Sequence, residues 1–133
     1  MSTWAPIPDT FVSKTKVFTA NLAQAANTYT LATCNASGGV IILGVEIYCS
    51  VVGATFTSVS IQTNDTTPVE FLSAVEGAVA NLTAGKNIAK AWVPTTYLHT
   101  SKLIQYTIVG ATGTGTLLVI VHYQPTVAGA NIT

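Results

Sequence analysis

Apolar and polar residues alternate along most of the chain in short runs, and turn-forming residues close each run. Alternation with a period of two marks a half-buried strand. The pattern predicts seven strands, at 15–20, 27–34, 40–52, 55–63, 87–93, 103–109 and 116–124. Between them lie Asn35-Ala36-Ser37-Gly38-Gly39, Gly53, Asn64-Asp65-Thr66-Thr67-Pro68 and Gly110-Ala111-Thr112-Gly113-Thr114-Gly115, all rich in residues that favour turns. Short strands at this spacing predict an all-β fold, an antiparallel β-sandwich of the jelly-roll kind. One stretch departs from the pattern. Val69, Leu72, Val75, Val79 and Leu82 recur at three- and four-residue intervals, which predicts one short helical segment around 69–75, weakened by Gly77. Pro6 and Pro8 disfavour both helix and ladder pairing, so residues 1–13 read as an extended N-terminal arm. That arm either folds back on its own core or docks on a neighbouring subunit. Residues 14–127 form a single sandwich domain, and 128–133 a C-terminal tail.

The faces of the strands are more telling than their number. If 110–115 is a symmetric hairpin loop, Ile108 faces Leu117, Tyr106 faces Val119 and Ile104 faces Val121 on one side. On the other side Thr107 opposes Leu118, Gln105 opposes Ile120, and Leu103 opposes His122. In the long strand, Ile41, Leu43, Val45, Ile47, Cys49 and Val51 line one face. Val40, Ile42, Gly44, Glu46, Tyr48 and Ser50 line the other. Strict alternation thus leaves apolar residues on both faces. An antiparallel sheet normally keeps one face wet, and a monomer rarely exposes a large apolar patch. Burial against another subunit explains the doubling; a helix or the arm lying over the sheet is the alternative. The candidate subunit or capsid interface is therefore Trp4, Ile7, Phe11, Val40, Ile42, Tyr48, Leu103, Leu118, Ile120 and His122.

Composition sharpens this picture. The 133 residues include 22 Thr, 15 Val and 10 Ile, a β-branched excess that favours strands. Charged residues are only 8%, five lysines against five acids, with a net charge of zero. Phosphate contacts need a basic face, so a nucleic-acid partner is not expected. The opening residues lack the basic and apolar regions of a secretory signal. The longest apolar stretch, 40–54, contains Glu46 and Ser50 and falls short of the roughly 20 residues that span a bilayer. Folding in the cytoplasm and no membrane partner are expected.

Catalytic patterns are sparse. Cys34 and Cys49 are expected to be buried free thiols, since they form no CxxC or Cys/His cluster. His122 alternates with Val121 and Tyr123 and reads as a packing residue; His99 reads as a loop residue. No GxSxG motif surrounds a serine. Asp9, Glu46, Asp65, Glu70 and Glu76 form no carboxylate pair suited to glycoside chemistry. Asn64-Asp65-Thr66 reads as an Asx turn rather than a calcium loop. Gly110-x-x-Gly113-x-Gly115 lacks the Lys-Ser/Thr of a phosphate cradle. The Asn-x-Ser/Thr triplets at Asn35, Asn64, Asn81 and Asn131 are incidental in a threonine-rich chain. Glu46 either pairs with one of Lys14, Lys16, Lys86, Lys90 or Lys102 across a subunit contact, or stands alone at a sheet edge. Neither an enzyme nor a cofactor or small-molecule substrate is expected.

The order of parts resembles a family of small tailed-bacteriophage virion proteins, the head decoration or cement proteins. The resemblance rests on Ile7-Pro8-Asp9-Thr10, Gly38-Gly39-Val40-Ile41-Ile42, Thr67-Pro68-Val69-Glu70-Phe71-Leu72-Ser73-Ala74 and Leu82-Thr83-Ala84-Gly85-Lys86. It also rests on the closing Gly113-Thr114-Gly115-Thr116-Leu117-Leu118-Val119-Ile120-Val121-His122-Tyr123-Gln124-Pro125. It covers most of the chain in layout, on degenerate motifs. It implies a homotrimer on the outer capsid surface, bound to the major capsid protein, with no catalytic residues to carry over. The alternative is a sandwich-type carbohydrate-binding or host-adhesion module in a tail or fibre, for which Trp92, Tyr97 and Tyr106 form the candidate cluster.

Overall fold

The computed structural model describes residues 12–35, 38–52, 55–82 and 87–133, with the side chains of 50–52 and 87–95 excepted. Eight strands are present: β1 (Lys14–Asn21), β2 (Thr28–Thr33), β3 (Val40–Val52), β4 (Phe56–Thr63), β5 (Glu70–Leu72), β6 (Asn87–Leu98), β7 (Leu103–Gly110) and β8 (Gly115–Pro125). They form two antiparallel four-stranded sheets, ordered β1-β8-β3-β6 and β2-β7-β4-β5. The pairing has a simple logic. β4 with β5, β3 with β6, β2 with β7 and β1 with β8 are the rungs of one long hairpin. Winding that hairpin brings β8 against β3 and β7 against β4, which completes each sheet.

Alternation puts Val45, Ile47, Val119 and Val121 of the first sheet, and Val59, Ile61, Ile104 and Ile108 of the second, into one buried core. Leu22 and Leu82 from the connections and Phe71 of β5 complete it. The apolar area removed from water is the main term holding two such sheets together.

Four expectations are corrected. First, no helix is present among the described residues, and 69–75 contains β5 instead. Phe71 and Leu72 are both buried, while Val75, assigned to the apolar stripe, is 80% exposed. Residues beyond β5 continue along the β4 edge, where Ser58 bridges Ala78 and the Val59 amide donates to the Gly77 carbonyl at 2.9 Å. Pairing with β4 outweighs a weak helical period.

Second, the 110–115 segment is not a hairpin turn. β7 and β8 lie in different sheets, so Ile108 and Leu117 are not cross-strand partners. Third, a β-bulge between Ile42 and Gly44 reverses the alternation of β3. Val40 and Ile42, assigned to an interface, therefore face the core together with Val45, Ile47 and Cys49. Fourth, the C-terminal residues do not trail away. Ala130 and Ile132 are fully buried, Ile132 bridges Cys34, and Thr33 and Thr133 exchange backbone hydrogen bonds of 2.8 and 2.9 Å.

Candidate functional site

The outer face of the β1-β8-β3-β6 sheet can be assembled row by row from the register. Thr19, Leu118 and Tyr48 lie side by side, then Val17, Ile120 and Glu46, then Thr15, His122 and Gly44. Gln124, Ile41 and Tyr97 make the last row. Val17 is 52% and Leu118 39% exposed, and Ile41, Leu43, Tyr48 and Ile120 are half-buried. The outer face of the other sheet differs in kind. It presents Thr28, Thr30, Gln105, Thr107, Ser60 and Gln62, and the Thr28 and Thr107 hydroxyls share a 2.8 Å hydrogen bond. One face is thus polar throughout, and the other sets Val17, Ile41, Leu43, Leu118 and Ile120 among tyrosines and polar residues.

Set in the apolar face is one polar chain. His122 Nε2 lies 2.9 Å from Glu46 Oε2, and Nδ1 lies 3.0 Å from Thr15 Oγ1. The Tyr48 hydroxyl donates to Glu46 Oε1 at 3.5 Å. Three adjacent strands supply the groups: Thr15 and His122 share a row, and Glu46 reaches His122 diagonally from the next row, opposite Ile120. A hydroxyl, an imidazole and a carboxylate in line can relay a proton. Nucleophilic catalysis also needs preorganised donors for an oxyanion. Here the chain lies on the outer side of a sheet whose central strands, β8 and β3, spend their backbone N–H groups on ladder pairing.

The sequence-derived candidates divide into four groups. Tyr48, Leu118, Ile120 and His122 come together on this face. Leu103 lies on the outer side of the other sheet, because β7 does not pair with β8. Val40 and Ile42 are core. Trp4, Ile7 and Phe11 lie outside the described residues. Sequence reasoning missed Thr15, Val17 and the partner of Glu46, which is His122 rather than a lysine. Only the β3–β8 register pairs them, and the turn residues at 110–115 point instead to a hairpin of β8 with β7.

Elsewhere, Lys102 Nζ lies 3.5 Å from Asp65 Oδ1, and the neighbouring Asn64 Oδ1 accepts from the Leu103 amide. Of the aromatic cluster, Trp92 has no described side chain, and Tyr106 is interior, stacked on Tyr29 at 5.4 Å. Burial raises the Tyr106 hydroxyl above its ordinary value, opposed by hydrogen bonds to Asn21 and Gln24. Tyr97 is 46% exposed, its ring against Gly39 and edge-on to His99 at 4.4 Å. Among the described residues, no three His, Cys, Asp or Glu side chains gather as metal ligands, and no helix is long and apolar enough to cross a membrane.

No family model matches the sequence, and no curated protein matches it. Among solved structures, a chain in a structure of infectious bursal disease virus, Gx strain, is similar at 14% identity with a TM-score of 0.35. The match takes in 90% of this chain but 38% of that one. A likeness this loose decides neither the fold nor the role.

Proposed function

We propose that the chain is a non-enzymatic structural component of a virion: a capsid decoration protein that forms a homo-oligomer and binds the major capsid protein on the outer capsid surface. The resemblance of its sequence to cement proteins makes a trimer the expected assembly. The observation that carries the reading is the outer face of β1-β8-β3-β6, where Val17, Leu118 and Ile120 stand among half-buried Ile41, Leu43 and Tyr48. Permanent interfaces are more apolar than transient ones, and closed symmetric assemblies are their usual form. The wound-hairpin strand order supports it too. We read it as a jelly roll, an architecture used by viral capsid domains and lectins alike.

The test is light scattering on the purified chain, followed by co-sedimentation with particles assembled from a major capsid protein of the same genome. A mass three times 13.8 kDa and stoichiometric pelleting are expected. A strict monomer at micromolar concentration that stays in the supernatant overturns the reading.

The lectin alternative draws on Tyr97, an exposed ring whose hydroxyl end lies close to Gly39 and which meets His99 edge to face. Aromatic faces of this kind stack on sugar rings. A glycan array without signal above background removes that alternative.

A further inference from the structure

We propose that the outer face of β1-β8-β3-β6 packs against a neighbouring copy of this chain, and that assembly takes up one proton at the His122–Glu46 pair. This rests on the homo-oligomer of the proposed function and adds the surface, the occupant and the control. The occupant follows from charge. Among the described side chains, the ionisable groups on this face are His122, Glu46 and Tyr48, joined in one network, and Tyr97 in the last row beside Ile41. On β1, Lys14 and Lys16 flank Thr15 in the opposite phase of the alternation. On β6, the register positions opposite Glu46 and Gly44 are Ala89 and Ala91. An ordinary protein surface, with about 25% charged residues overall, would lose hydrated charges on meeting such a face. A second copy, with 8% charged residues and no net charge, brings few to lose.

The direction of the proton linkage follows from desolvation. Contact removes water from Glu46, and a carboxylate facing a neutral imidazole is an uncompensated buried charge. One proton on the pair compensates it: either the ring takes it up on Nδ1 while Nε2–H donates to Glu46, giving an ion pair, or Oε2 carries it and donates to Nε2. Thr15 tolerates either ring state, since its hydroxyl donates to Nδ1 of a neutral ring and accepts from a protonated one. Assembly therefore binds a proton and tightens as pH falls.

Sedimentation velocity on the full chain, at about pH 6 and about pH 8.5, tests both parts. For the wild type the dissociation constant should rise about tenfold between the two, within the tenfold per pH unit that one linked proton allows. Glu46→Gln should assemble with little pH dependence, and more tightly than wild type at the higher pH. Leu118→Lys should be monomeric at both, with far-UV circular dichroism and thermal unfolding of the wild type. Val17→Lys, at a more exposed position, takes its place if that variant misfolds. The proposal is overturned if a folded lysine variant assembles like wild type, or if Glu46→Gln keeps the wild-type pH dependence. Assembly as expected without capsid binding sinks the virion reading alone. Capsid binding by an oligomer that ignores both lysines sinks this inference alone.

Discussion

Cys34 and Cys49 are both free and buried, and burial pushes both thiols above the ordinary cysteine value. At Cys34 a hydrogen bond with the Val40 backbone works against that shift. A thiol that stays protonated in the fold but ionises in the unfolded chain makes stability fall as pH rises. The loss begins above about pH 8.5, where an unfolded cysteine loses its proton. Tyr106, shifted the same way, adds to the loss at higher pH. Urea unfolding at about pH 7.5 and about pH 10 should show this fall, and a Cys34→Ala/Cys49→Ala variant should show a smaller one. A thiol reagent should react slowly with the native protein and with both cysteines once urea unfolds it. Equal rates in the two states would mean that the thiols are not core residues. Their burial was legible from residue type and strand position. The facing of Val40 and Ile42 was not, because one residue of bulge at 42–44 turns each alternating position in that half of β3 to the opposite face. Nothing in Ile41-Ile42-Leu43-Gly44 except the glycine hints at it.

The segment after β5 shows two local signals competing with a tertiary one. Ser73 and Glu76 form a reciprocal capping box: the Ser73 amide donates to Glu76 Oε2 at 2.9 Å, and the Glu76 amide donates to Ser73 Oγ at 3.2 Å. The Gly77 amide donates to the Ser73 carbonyl at 2.8 Å, the first bond of a helix. The helix goes no further, because Gly77 docks directly on β4. A Cβ there would lie 1.7 Å from the Val59 carbonyl oxygen. Gly77→Ala should therefore push the segment off the sheet edge and cost about 2–3 kcal/mol as overpacking, read as a lower urea midpoint. An unchanged midpoint would show that the segment is not seated on β4. The same competition explains what the sequence made visible. Seven strands announced themselves by alternation and turn residues, several within a residue or two of their observed ends. β5 has only three residues, too few to alternate. The turn residues at 110–115 point to a hairpin of β7 with β8, yet these two strands fall in opposite sheets.

At the scale of the molecule, winding one long hairpin places the chain's late residues beside its early ones. β1 pairs with β8, and the residues after β8 return to the free side of β2. There Asn35 and Asn131 bond through backbone and side chain, at 3.0 Å between the Asn35 amide and the Asn131 carbonyl and 3.2 Å between the Asn131 amide and Asn35 Oδ1. Ala130 and Ile132 fill the core beneath. A sheet edge is closed by this segment, and the sandwich loses a wall without it. Truncating Ile132 to alanine should cost about 2–5 kcal/mol. Removing 130–133 takes away the same side chain together with the Thr33–Thr133 and Asn35–Asn131 bonds, so it should cost more. Against a total stability of about 5–15 kcal/mol, the deletion should show a urea midpoint below that of Ile132→Ala and faster proteolysis than the full chain. A deletion variant with the urea midpoint of Ile132→Ala would show that the side chain alone matters and that the returning strand closes nothing. The period-two pattern cannot announce this segment, because only one bridge residue, Ile132, lies between loop and chain end. Its role exists only once the roll is wound.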